Sequence, residues 1–167
     1  MEDLNHRLFL LFNAGAHPPA WELHLALGFA KYLIVLVPLL LIGLWCWGGP
    51  ATRQAAARAL LAVCLGIAFN LLIAHLWPQP RPFVLGLGHT WLRHAPDASF
   101  PSDHGTVFFA LGLALAFSVR QALGLFIFVL GCGVAWSRVY LGVHFPLDMA
   151  GSLAVAIVSC ILISAGW

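Results

Sequence analysis

Residues 99–109, "SFPSDHGTVFF", place a proline, a serine, an aspartate and a histidine directly in front of an apolar run. The setting of this stretch decides how it is read. The chain has 167 residues, of which 62% are hydrophobic and 8% charged, whereas ordinary soluble domains carry about 25% charged residues. A soluble fold of this length cannot bury so much apolar surface, and a bilayer is its natural solvent. The run beyond Ser102 therefore reads as a membrane helix with polar groups at its head.

Working outward from it, five segments are long and apolar enough to span a bilayer: about 20–47, 55–77, 102–119, 122–141 and 144–167. Trp21, Trp45 and Trp47 bracket the first and suit interfacial belts. The expected fold is all-α: a polytopic membrane bundle of about five transmembrane helices, forming a single domain over residues 1–167. At the N-terminus, Glu2 and Asp3 are acidic and the core "LFLLF" is short, which argues against a cleaved signal peptide. Leu4, Leu8, Leu11 and Phe12 share one helical face, so a short interfacial helix is expected there. Cys46, Cys64, Cys132 and Cys160 lie in apolar runs without metal-ligand spacing and read as small buried apolar residues.

The connections are unequal. Short turns join the first segment to the second, the third to the fourth and the fourth to the fifth, while residues 78–101 form one long loop rich in proline and glycine. Arg53, Arg58 and Arg120 fall at one end of the bundle, which the positive-inside rule assigns to the cytoplasm. The long loop then faces outward, as does the N-terminus. Arg81, Arg93 and Arg138 sit at that outer end against the rule, so they are expected to serve chemistry; the inverted orientation is the alternative. The net charge is +2 with no basic run, which gives nucleic-acid binding no support.

Three polar clusters meet at the outer end: Arg81 with Pro82; Ser102, Asp103 and His104; and Ser137, Arg138, His144 and Asp148. Arg81 and Arg138 are permanent cations whose planar forks match phosphate oxygens, and Ser102 adds a hydroxyl. His144 and Asp148 are four residues apart and can share a helical face. Asp148 can hold one imidazole nitrogen and leave the other free to attack phosphorus. His104 can protonate the leaving oxygen and later activate water. Singly, such residues are usually interfacial anchors, caps or local pairs; their convergence is what points to a site.

At these residues the chain resembles the type-2 phosphatidic acid phosphatase superfamily, whose pattern is K-x6-R-P, then P-S-G-H, then S-R-x5-H-x3-D. The third part matches in full from Ser137 to Asp148. The second matches as "PSDH", with Asp103 in place of glycine. The first matches as Arg81-Pro82, with Ala74 at the lysine position. The resemblance implies a phosphatase needing no metal or other cofactor, with His144 as nucleophile, Asp148 orienting it, His104 as acid and base, and Arg81, Ser102 and Arg138 holding the phosphoryl oxygens.

"PRPF", "HAPDASFPSDHGT" and "SRVYLGVHFPLD" together look like the bacitracin-resistance-type undecaprenyl pyrophosphate phosphatases. That likeness implies a polyprenyl diphosphate as the lipid partner, recycling of the cell-wall lipid carrier, and a place in the bacterial cytoplasmic membrane with the site facing out. Phosphatidic acid or phosphatidylglycerol phosphate as substrate, phosphoryl transfer to another lipid, a headgroup-binding or transport protein, and histidines that ligate a metal or haem are the competing readings. His75, Arg93 and Lys31 are candidates to replace the missing lysine charge, with Arg93 and His94 alternatively shaping a loop over the site. The Asp103 carboxylate is expected to turn toward an arginine or backbone amides.

Overall fold

The computed structural model describes residues 2–166. Among them are seven helices and no strand: α1 (Glu2–Phe12), α2 (Ala20–Lys31), α3 (Leu33–Trp47), α4 (Pro50–Leu76), α5 (Asp103–Ala116), α6 (Gln121–Tyr140) and α7 (Pro146–Ala165). The expected membrane bundle is present. α4, α6 and α7 are each long and apolar enough to cross a bilayer, and α2 with α3 forms a further span bent by 43°. The bend falls at Tyr32, immediately after Lys31. Trp167, the expected end of the last span, lies outside the described residues.

Several boundaries differ from the expected ones. α4 starts at Pro50 rather than near 55. The third span is only 14 residues, about 21 Å of helix against a hydrocarbon core of about 30 Å. It runs through the middle of the bundle between α4, α6 and α7, with Phe108, Phe109, Ala110, Leu111 and Leu115 buried. Glycine makes the close approach to α6 possible: a Cβ on Gly112 would stand 2.8 Å from the backbone nitrogen of Phe128. Small residues let membrane helices pack in this way. The last span starts at Pro146, so His144 precedes it in a tight turn.

The two ends of the bundle are distinct. At one end, Arg53 Nε donates to the Trp45 carbonyl at 2.8 Å and Arg120 Nε to Thr52 Oγ1 at 3.2 Å, joining the two short turns. At the other lie α1, the long loop and the α6–α7 turn. α1 turns Leu4, Leu11 and Phe12 outward, as an interfacial helix should, but its Phe9 is fully buried against the bundle. The cysteines do not follow expectation. Cys46, Cys64 and Cys132 are exposed and Cys160 is half-buried, because in a lipid-bathed bundle the outer surface is as apolar as the interior.

Candidate active site

The α6–α7 turn is the centre of the site. His144 and Asp148 are both buried, and His144 Nδ1 lies 3.1 Å from Asp148 Oδ2. The same carboxylate oxygen accepts from the Phe145 backbone N–H at 2.8 Å and from the Ser99 hydroxyl. The Phe145 bond closes half of a capping box at the start of α7, so the fold that begins the helix also fixes the carboxylate. On the other side of the ring, Arg81 Nη1 stands 3.0 Å from His144 Nε2. A guanidinium has only donors, so Nε2 accepts. Nδ1 then carries the proton and donates it to Asp148. Burial holds this imidazole down to about 4, against the upward pull of Asp148 and with help from Arg81 and Arg138. It is neutral at pH 7, with its lone pair on Nε2, the nitrogen beside Arg81.

Arg81 is buried and heavily used. Its Nε donates to Asp97 Oδ1 at 2.7 Å, Nη1 to the Val143 carbonyl at 2.9 Å and Nη2 to the Ala98 carbonyl at 3.1 Å. It ties the long loop to the turn that carries His144. Partial burial pushes the Asp97 carboxyl up, but the Arg81 guanidinium outweighs this and holds it below its usual value. Arg138 is equally buried, and its Nε has no hydrogen-bond partner. A buried cation with an open donor asks for an anion.

These groups surround a cavity of about 270 Å³, lined by Arg81, Arg138, His144 and His104 together with His94, Asp97, Asp103, Asn70 and Ala74. His94 comes from the long loop, its ring centre 6.3 Å from that of His144. Burial lowers its basicity, with Arg81 and Arg138 adding to the effect. The cavity, with two buried arginines and three histidines in its lining, can hold a multiply charged oxyanion.

Of the six expected site residues, Asp148 is bonded to His144 behind this cavity, and four, Arg81, His104, Arg138 and His144, line it. Ser102 does not: it is fully buried, its hydroxyl accepts from the Gly105 N–H as the N-cap of α5, and it does not line the cavity. A serine just ahead of a helix is a cap by preference, a signal already visible in the sequence. None of the three expected substitutes for the lysine reaches the cavity either. His75 and Arg93 are exposed, and Lys31 lies at the α2–α3 break. Asp103 is held by neither an arginine nor a backbone amide. Its Oδ1 accepts from Asn70 Nδ2 at 2.8 Å, and Asn70 is itself locked to Thr106. Ser99, Asp97 and Asn70 are the residues that sequence reasoning missed.

Comparison with known proteins shows the family. Over its full length the chain is 44% identical to the Escherichia coli (strain K12) protein named "Putative undecaprenyl-diphosphatase YbjG", covering 84% of it. It is 34% identical over 155 residues to "Undecaprenyl-diphosphatase BcrC" of Bacillus subtilis (strain 168), covering 93% of this chain and 80% of that one. The crystal structure of Aquifex aeolicus LpxE superposes with a TM-score of 0.77 at 25% identity, over 97% of this chain and 95% of that one. A transmembrane PAP2 type phosphatidylglycerolphosphate phosphatase from Bacillus subtilis shares the fold, with a TM-score of 0.72 at 17% identity over 98% and 84% of the two chains. Residues 55–166 match the PAP2 superfamily, and the chain belongs to that family.

Proposed function

We propose that this protein is a membrane phosphatase that hydrolyses undecaprenyl diphosphate to undecaprenyl phosphate and inorganic phosphate. The observation that carries the reading is the state of His144: Nδ1 bound to a buried carboxylate, Nε2 unprotonated beside Arg81, and the ring in the lining of a cavity that also holds Arg138. The names of the two curated relatives support the choice of lipid.

In the first half-reaction Nε2 attacks the terminal phosphorus as the bond to the bridging oxygen breaks. Undecaprenyl phosphate leaves, with His104 giving a proton to the departing oxygen. The phosphoryl group is now on His144, and Asp148 offsets the charge on the ring. In the second half, His104 takes a proton from water as that water attacks phosphorus. The P–N bond breaks, inorganic phosphate departs and His144 is restored. Arg138, with its open donors, carries the equatorial oxygens. Ser102 acts only through the helix that it caps, by presenting His104. The chemistry is assigned to side chains alone, with no metal or other cofactor. The protein acts in the bacterial cytoplasmic membrane with the site at the outer face, where Arg53, Arg58 and Arg120 mark the inner end.

The test is phosphate release by purified protein in detergent from undecaprenyl diphosphate, phosphatidic acid and phosphatidylglycerol phosphate, with His144→Ala beside the wild type. The reading expects turnover of the diphosphate above the other two and none by the variant. Preference for a glycerolipid phosphate rejects the substrate. Full turnover by His144→Ala rejects the nucleophile.

A further inference from the structure

α7 has only the Asp148 half of a capping box. Its N-cap residue, Phe145, has no side-chain acceptor, and Pro146 has no N–H to satisfy. The Asp148 N–H goes to the Phe145 carbonyl at 3.0 Å. The remaining first-turn donor, the Leu147 N–H, is taken from across the fold: it donates to Asn5 Oδ1 on α1 at 3.1 Å. Leu147 is the residue immediately before Asp148, so this bond reaches the catalytic turn directly.

Other residues of α1 hold the same turn. The rings of His6 and Phe9 lie 5.2 and 5.3 Å from that of Phe145. Just beyond α1, Asn13 Nδ2 donates to the Tyr140 carbonyl at 3.0 Å, at the far side of the turn. The segment from Tyr140 to Leu147, with His144 in its middle, is thus held at one end by α1 and at the other by Asn13, one residue beyond it. The carboxylate–imidazole pair spans 3.1 Å inside that grip.

We infer that α1 is a positioning element of the active site, and that Asn5, by capping α7 in trans, is a positioning residue for the His144–Asp148 pair. The inference rests on the reading of that pair as catalytic. Asn5 touches neither substrate nor reacting atoms. Its loss leaves the Leu147 N–H to seek another acceptor, and the first turn of α7 shifts with it. Arg138, on α6, keeps its place, so substrate binding is spared.

Steady-state kinetics on undecaprenyl diphosphate in detergent separate this from a general structural role. Asn5→Leu, which keeps the size and loses the acceptor, lowers kcat about tenfold, which is ~1.4 kcal/mol in the barrier, with KM within about twofold of wild type. Asn5→Asp keeps an acceptor at the same reach and recovers wild-type kcat. A folded Asn5→Leu with wild-type kcat overturns the inference, as does an Asn5→Asp that is as slow as Asn5→Leu. If Asn5→Leu does not fold, Asn5→Gln decides, because its longer arm misplaces the acceptor: a lowered kcat supports the role and an unchanged kcat rejects it. A wild-type protein that fails to turn over the diphosphate rejects the proposed function instead, and the variants are then compared on the lipid phosphate that it does cleave.

Discussion

Asp148→Asn isolates the charge of the buried carboxylate from its hydrogen bonds. One oxygen, Oδ2, accepts from Ser99 Oγ, His144 Nδ1 and the Phe145 N–H. An amide can put its oxygen in that place and keep all three donors, so the ring keeps its tautomer and Nε2 stays unprotonated. What disappears is the negative charge. As the N–P bond forms, the imidazole gains positive charge with its Nδ1 only 3.1 Å from the carboxylate. Unit charges about 4 Å apart at an effective dielectric near 20 interact by about 4 kcal/mol. Losing that stabilisation in the transition state lowers kcat about a thousandfold. KM changes little, because the substrate meets the ring before that charge develops. The acid limb of kcat/KM moves in step: Asp148 raises the basicity of His144, so without it the imidazole stays neutral to lower pH still. The assay is phosphate release over a pH series, with wild type and variant in the same detergent. A variant within about tenfold of wild-type kcat, or an acid limb that moves upward, refutes the assignment of Asp148 as the charge partner of a nucleophilic His144.

Three further outcomes follow from the same contacts. Arg138→Lys lowers kcat/KM at least about tenfold, because an ammonium cannot reproduce the planar fork that lines the cavity with its Nε unpartnered; wild-type kinetics would remove Arg138 from phosphoryl binding. Ser99→Ala takes a hydrogen bond from a buried carboxylate, an interaction of about 1.5–3 kcal/mol, and slows turnover about tenfold or more; unchanged kcat and melting temperature would make that bond idle. Stability depends on pH through His144. Its imidazole titrates near 6.5 when unfolded and about 4 when folded, so between these values the unfolded chain binds more protons and stability rises with pH. About 3 kcal/mol is lost on acidification through that window, and thermal unfolding of His144→Gln should lack this part of the slope; parallel profiles would contradict the buried, neutral ring.

Residues differ in how far the sequence alone reveals them, and the reason is distance to their partners. His144 and Asp148 are four apart, and the run from Ser137 to Asp148 passes the α6–α7 turn, so their meeting is local. Ser99 contacts a carboxylate 49 residues away and Asp97 a guanidinium 16 away, both from a loop without period. Nothing in their neighbourhood announces the contact. Asn70 is harder still, an amide in the apolar part of a 27-residue helix whose buried face becomes meaningful only when α5 packs on it. The apolar faces are illegible for another reason. Binary patterning separates core from water, and here both sides of a helix meet hydrocarbon. Cys46, Cys64 and Cys132, expected inside, are therefore exposed, while run length alone still finds α4, α6, α7 and the bent α2–α3 span.

The two arginines are not equivalent, and their difference explains how a site can be closed and ready together. A buried cation left unpaired costs several kcal/mol, and Arg81 meets that demand with Asp97 and the Val143 and Ala98 carbonyls. Those bonds hold the long loop against the α6–α7 turn, and no substrate oxygen has to replace them. Only one contact must give way for reaction, the Nη1–Nε2 bond, because the nucleophile needs that lone pair. The N–H concerned points at the atom that will bind phosphorus, so a phosphoryl oxygen arriving there meets a donor already aimed at it. Exchange of acceptor, from Nε2 to that oxygen, exposes the nucleophile and grips the electrophile in one step, without a change of rotamer at Arg81. Arg138 has an unpartnered Nε instead, and in the proposed mechanism it supplies the charge that draws the anion in. An arginine tied to the scaffold and an arginine left open thus divide between them the two tasks of positioning and binding.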